Sequence, residues 1–297
     1  MKTPGRFRVG VCTHAGVVRS ANEDDYLLAS AAAPDFLFAG IADGMGGLAG
    51  GAEASRTALR AIAAVALEAA GGGDVAAAVR DGFAAAARRV AETSATVPAL
   101  RDMGTTATVL CLADGQAHIG HVGDTRLYRL RAGALDRLTV DHAVREPDNR
   151  LTRCIGAGGR TVAVDQRAVA TAPGDRFVLL SDGVWSVLGE GALLRLAGRG
   201  EPAAVAEALV GQALALGSAD NATAVVVDVA AAAGDGFAAV ELPREERPDD
   251  RSRWPRAGNA PGAAWALALL AVGVLLLLHA ALVAGGVAGG LLAMLAG

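Results

Sequence analysis

An α+β fold is predicted by three observations: short apolar runs of strand length, Ala-rich stretches of helical length, and strand-to-strand joints that outnumber strand-to-helix alternations. Mostly antiparallel sheets covered by helices follow from that balance. The strand candidates are Arg8–Cys12, Asp25–Ala29, Phe36–Ala42, Thr106–Leu112, Ala117–Val122, Arg126–Arg131, Thr161–Arg167, Arg176–Leu180 and Thr223–Val229. Ala113–Gln116 places Asp-Gly, a favoured tight-turn pair, between two of these runs and makes a hairpin of them. The helix candidates are Ala52–Ala69, Asp74–Thr93, Glu190–Arg199 and Pro202–Leu216. The last begins at Glu201-Pro202, because proline suits the first helical position.

At 297 residues the chain accommodates one catalytic-sized domain and an appendage. A net charge of -4 argues against a nucleic-acid partner, whose binding surfaces are usually strongly basic. Cys12, Cys111 and Cys154 are odd in number and far apart, so neither a disulfide framework nor a zinc knuckle is expected. No apolar stretch follows the N-terminal MKTPGRFRVG, so no secretory signal is expected there.

The C-terminal quarter differs. Gly262–Val283 reads GAAWALALLAVGVLLLLHAALV, with His279 as its one ionisable residue, and about 20 apolar residues cross a bilayer as a helix. A transmembrane helix over 262–284 is therefore expected, with a short apolar tail over 285–297. The Pro- and Arg-rich linker 236–261 carries Arg244, Arg247, Arg251, Arg253 and Arg256. By the positive-inside rule it places everything N-terminal to the span in the cytoplasm, on a single-pass inner-membrane protein.

Four Asp-containing turns punctuate the first 225 residues: Asp43-Gly44, Asp124, Asp182-Gly183 and Asp220-Asn221. Three directly follow short apolar runs, where a fold can converge carboxylates on one site. Asp43, Asp182 and Asp220 form a sparse set of hard oxygen ligands of the kind that suits Mn²⁺ or Mg²⁺. Gly44 lets the backbone turn tightly and present its carbonyl as a further ligand. Two ions about 4 Å apart activate a water and neutralise phosphoryl oxygens during in-line displacement. Arg19 suits the remaining task, since a guanidinium fork holds two phosphate oxygens at once. Glu23 and Asp24 also read as a solvated acidic turn, as does Asp25. His14, His118 and His121 read as strand packing, and Thr105-Thr106 as bonding within a strand.

VRSANEDDY, FAGIADGMGG, MGTTATV, HVGDTRLYRL, LTVDHAV, LTRCIG, LLSDGVW and ADNATAVVV occur in the order of the signature segments of the protein phosphatase 2C-like family, and the chain resembles that family over nearly all of residues 8 to 229. The resemblance implies a four-layer αββα sandwich with metals in a cleft at one end, formed by residues 1–235 as the catalytic domain. It implies that Asp43 bridges two Mn²⁺ or Mg²⁺ ions, that the Gly44 carbonyl binds one, and that Asp182 and Asp220 ligate the other. Asp124 would help hold a third, weaker ion. Glu23 would hydrogen-bond water on the metals, and Arg19 would hold the substrate phosphate. The activity implied is hydrolysis of phosphoserine and phosphothreonine in proteins, opposing a bacterial serine/threonine kinase or acting on its substrates.

Two departures stand out. Met45 replaces a His that serves eukaryotic members as general acid, and Met45 cannot donate a proton; His142 is a conceivable donor, with a structural role the preferred reading. Only AVREPDNR separates His142 from Leu151, where many bacterial members carry a mobile flap. That shortening resembles phosphatases associated with type VI secretion. The rival readings are a catalytically silent phosphoprotein-binding scaffold of the same fold and a dedicated phosphatase for one partner protein.

Overall fold

A computed structural model of the chain describes residues 7–31, 36–46, 50–144, 150–156, 159 and 161–230. The expected linker, transmembrane helix and tail lie outside the described residues, as do the ends of the expected catalytic domain. No helix among the described residues is long and apolar enough to cross a membrane.

The elements in chain order are β1 (Phe7–His14), β2 (Asp24–Ser30), β3 (Leu37–Met45), α1 (Gly50–Glu68), α2 (Val75–Thr96), β4 (Gly104–Thr105), β5 (Ala107–Ala113), β6 (Gln116–Val122) and β7 (Arg126–Arg131). They continue with β8 (Ala134–Arg137), β9 (Ala143–Val144), β10 (Arg150–Leu151), β11 (Ile155–Gly156), β12 (Asp165–Ala170), β13 (Arg176–Leu180), α3 (Asp182–Trp185), α4 (Glu190–Ala197), α5 (Pro202–Ala215) and β14 (Ala222–Val229). One sheet runs β1-β14-β13-β7-β8, a second runs β11-β4-β3-β5-β6-β12 with β2 also on β3, and β9 and β10 pair as a two-stranded ribbon. The strand pairings among the described residues are antiparallel.

β3 and β5 explain why their sequences read as unbroken apolar runs. Leu37, Ala39, Ile41, Leu110 and Leu112 join a core shared with Phe177, Leu179, Val225 and Val227 of the facing sheet. The alternate residues Phe38, Ala42, Val109 and Cys111 turn the other way, onto Leu59, Ile62, Val79 and Phe83 of α1 and α2. A strand covered on both faces has no polar side to show. Gly82 permits the helix pair to approach closely, since a Cβ there would sit 3.1 Å from the Ile62 Cα. With α5 packed on β1 and β14, the order is helix, sheet, sheet, helix.

The expected hairpin forms at Asp114-Gly115, both with positive φ, as its right-handed strand twist favours. Asp74 is the N-cap of α2, not its first turn, and accepts from the Ala77 amide at 3.0 Å. Two expectations shift. The run expected over Thr106–Leu112 follows a break between β4 and β5, and β12 begins at Asp165, not Thr161. A second hairpin, β7–β8, was not anticipated, because Ala132 takes the positive φ usually reserved for Gly or Asn. Cys12 and Cys111 are buried and unbridged, and burial pushes the Cys111 thiol up to about 12, which keeps it inert.

Candidate active site

Strand register builds the centre of the site. β2 pairs with β3 so that Asp24 lies directly opposite Asp43. The Asp43 amide donates to Thr106 Oγ1 at 2.9 Å, and its carbonyl accepts from the Thr106 amide at 2.8 Å and from Thr105 Oγ1 at 2.9 Å. The two threonines are thus the clamp that fixes this backbone. Gly44 is needed for close approach and not for a turn: it belongs to β3, and a Cβ would sit 2.1 Å from the Gly51 carbonyl at the start of α1.

The turns of Asp182 and Asp220 close on the same point. Ser181 is the N-cap of α3, and Asp182 is that helix's first residue. A Cβ on Gly183 would fall 2.0 Å from the Asn221 carbonyl, so only glycine lets these two turns touch. Asn221 then ties in the Arg19 loop. Its amide nitrogen donates to the carbonyls of Ala15 at 2.8 Å and Ala21 at 2.9 Å, and its side-chain oxygen accepts from the Glu23 amide at 2.8 Å. Arg19, held on that pinned loop, donates to Asp220 Oδ2 at 2.7 Å and is half exposed.

Like charges converge here. Burial, then the charges of Asp24, Asp182, Asp124 and Asp220, push the Asp43 carboxyl well above the usual carboxylate range. Burial also raises Asp182, with Asp220 adding to the shift. Asp24 is pushed up to about 7 by burial, against the opposing hydrogen bonds of Thr223 and Ser181. Asp24 is thereby a member of the cluster and not a solvated turn; Thr223 Oγ1 donates to it at 2.6 Å. Its strand-opposite position beside Asp43 was hidden in the sequence, because NEDDY does not reveal which carboxylate of three faces inward.

The chemistry of this set fits hard divalent cations. Glu23 Oε1, Asp24 Oδ1 and Asp182 Oδ1 are buried with no hydrogen-bond partner among the described residues, which a cation would relieve. Among the described residues no three His, Cys, Asp or Glu side chains close into a ready-made cage. Mg²⁺ and Mn²⁺ sites are characteristically of that open kind, completed by backbone carbonyls and water.

Asp124 is buried in the turn between β6 and β7, within electrostatic reach of Asp43. Trp185 holds that turn by donating from Nε1 to the Asp124 carbonyl at 3.0 Å. The Trp185 ring lies 3.5 Å below the Arg126 guanidinium, which grips both carboxylate oxygens of Asp141. His142 anchors the same turn from the other side. Its Nδ1 accepts from the Gly123 amide at 3.1 Å, and its Nε2 bonds Asp165 at 2.9 Å. With both ring nitrogens committed and the ring buried, His142 is a structural group and not a proton donor to substrate. His121 packs against it, held neutral because burial and the nearby His142 lower it to about 4. Next to Arg19, Asp182 and Asp220 opens a cleft of about 590 Å³.

The structure therefore brings Arg19, Glu23, Asp43, Gly44, Asp182, Asp220 and Asp124 to one end of the sandwich. Against known proteins, the profile described as Protein phosphatase 2C matches residues 15–208. The chain belongs to the protein phosphatase 2C family. That match takes in Arg19 through Asp182, and Asp220 lies beyond its end. The chain is 33% identical over 241 residues to the serine/threonine protein phosphatase PstP of Mycobacterium tuberculosis, covering 75% of this chain and 45% of that one. It thus spans less than half the length of that curated relative. Among solved family structures, PppA, described as a key regulatory component of the type VI secretion system in Pseudomonas aeruginosa, superposes with a TM-score of 0.65 at 30% identity, over 76% of this chain and 99% of that one. The PstP catalytic domain in complex with two manganese ions gives a TM-score of 0.66 at 31% identity, over 75% and 98%.

Proposed function

We propose that this chain is a metal-dependent serine/threonine protein phosphatase that hydrolyses phosphoserine and phosphothreonine in proteins, opposing a bacterial serine/threonine kinase. The observation that carries the reading is the gathering of Asp24, Asp43, Asp124, Asp182 and Asp220 around buried, unpartnered oxygens, with one arginine at the rim. Kinship with PstP, whose catalytic domain binds two manganese ions, supports it. A silent scaffold would tolerate loss of these carboxylates, and every one the family resemblance calls for is present.

Asp43, with the Gly44 carbonyl, Asp182 and Asp220, would hold two Mn²⁺ or Mg²⁺ ions, and Asp124 a third, weaker one. Bound there, the ions supply Lewis acidity, acidifying a water and neutralising phosphoryl charge. Arg19 binds and orients the phosphate: its fork has five N–H donors, and Asp220 takes one of its nitrogens. Glu23 holds its Oε1 toward the start of α1, beside Gly51, where it accepts from and orients water. Asn221 keeps Arg19 and Glu23 in register with Asp220. The leaving serine or threonine takes its proton from water, since Met45 has none to give and His142 is bonded on both sides.

The catalytic domain extends over residues 1–235 in this reading. The Arg-rich linker 236–261 and the apolar stretch 262–284 tether it to the cytoplasmic face of the inner membrane as a single-pass protein. The type VI secretion role printed for PppA makes such a system a candidate setting.

The test is phosphate release from p-nitrophenyl phosphate and a phosphothreonine peptide by the detergent-solubilised full chain. Turnover with Mn²⁺ that vanishes in Asp43→Asn is expected; no turnover across several metals and substrates defeats the reading. Recovery of the full chain in carbonate-washed membranes tests the tether, and its release into the wash would refute it.

A further inference from the structure

We infer that the cleft beside Arg19 is a specificity subsite for an apolar side chain adjacent to the phosphoresidue of the substrate, an inference that rests on the phosphatase reading. One end of this cleft is made by Arg19, Asp182 and Asp220, so whatever molecule presents its phosphate there also lies along the rest of it. Its volume of about 590 Å³ is of the size that encloses a whole small ligand, far more than a phosphoryl group fills.

The remainder is walled by Val18, Trp185, Val187 and Ala219. Val18 is 70% exposed, an apolar surface left to water at the mouth of the site. Of the two serines on the lining, Ser218 spends its hydroxyl on the Gly183 carbonyl at 2.6 Å. Arg19 is the one cation among the lining residues, and it faces Asp220. An acidic residue beside the phosphoresidue therefore meets no counter-charge of its own, whereas an apolar one covers Val18, Val187 and Ala219.

These walls are fixed before substrate arrives. Trp185 is held by its bond to Asp124 and by Arg126 stacked over its ring, and Val18 rides on the loop that Asn221 pins at Ala15 and Ala21. A rigid wall selects by shape instead of remoulding around each substrate.

The test uses the Mn²⁺-loaded full chain and non-hydrolysable phosphonate analogues of phosphothreonine peptides carrying Leu, Ala or Asp beside the phosphoresidue, on either side. Affinity is read by fluorescence anisotropy, and the matching phosphopeptides are assayed for turnover. Leu, with three more carbons than Ala, is expected to bind about 10-fold tighter, the low end of what added apolar carbon supplies in a pocket, and Asp weaker than Ala. In Val18→Asp the Leu-to-Ala ratio falls to about 1; because the ratio is taken within each variant, a general loss of binding cancels. Equal affinity for the three peptides in the wild type, or a Leu preference unchanged in Val18→Asp, overturns the subsite. A Leu preference without any phosphate release supports the subsite while defeating the phosphatase reading.

Discussion

β13 and β14 are neighbours in one sheet, yet charge is handled in opposite ways at their two ends. At the start of β13, Arg176 grips Asp228 through Nε at 2.6 Å and Nη2 at 2.8 Å, and donates to the carbonyls of Ala197 and Gly200 at 2.7 Å each. At the far end, Asp182 follows β13 and Asp220 precedes β14, and both turn toward Asp43 and Asp24, where the cation the described residues bring alongside is the half-exposed Arg19. The first cluster is complete as it stands, and replacing its charges would cost the fold. The second is incomplete by construction, and its repulsion is relieved by something bound. A buried ionic group with every partner present reads as architecture; one with orphaned oxygens reads as a site.

The contrast breaks most visibly under substitution. Asp182→Asn is expected to lower turnover about 1,000-fold, or about 4 kcal/mol in barrier, while the melting temperature in EDTA holds or rises because one like charge is gone. A drop in that melting temperature would place Asp182 with the architectural group. Arg176→Ala should do the reverse, costing about 3 kcal/mol of folding stability because buried Asp228 then keeps only the longer contact from half-exposed Arg8 at 3.3 Å. Denaturant titration measures it, and a loss under 1 kcal/mol would erase the distinction between the two ends.

Asn221→Ala tests the link between the Arg19 loop and the acidic cluster. It removes three side-chain hydrogen bonds and should cost about 2 kcal/mol of stability. Turnover should fall chiefly through KM for phosphopeptide, since Arg19 loses its mooring. A pure stability loss with KM unchanged would show that the loop holds Arg19 without it.

A further test is a pH dependence. Asp24 is raised to about 7 in the fold, against about 4 in an unfolded chain. Below pH ~4 both states hold the proton and this contribution to stability is intact. Between ~4 and 7 the unfolded chain ionises first, so the contribution drains away as pH rises through the folded value. Asp24→Asn does not titrate. In EDTA its melting temperature should therefore gain on the wild type from pH 4 to 8, and parallel curves would remove Asp24 from the cluster. For the same reason Mn²⁺ should bind more weakly as pH falls below 7, because the ions displace protons.

Much of this was legible in advance for identifiable reasons. Arg176–Leu180 and Arg126–Arg131 were bounded correctly because charge or a turn brackets each apolar run. Asp43, Asp182 and Asp220 stood out as carboxylates directly after or before such runs. Asp24 did not, because burial inside an acidic tripeptide depends on the pairing partner, and Asp43 lies 19 residues away in β3. Trp185 carried no signal of its role, because its bond to Asp124 spans 61 residues. Asn221 read as half of an Asp-Asn turn, although its side chain bonds residues 198 to 206 positions distant.

By itself the sequence determined the class of fold, the order of its elements and the residue types of a phosphate-handling metal chemistry, because periodicity, turn residues and ligand chemistry are local properties. Only the tertiary structure decided which carboxylates share one buried volume, which histidine is committed on both nitrogens, and which valine faces an open cleft. Those follow from register and from close glycine contacts between segments far apart in the chain, and no local pattern encodes them.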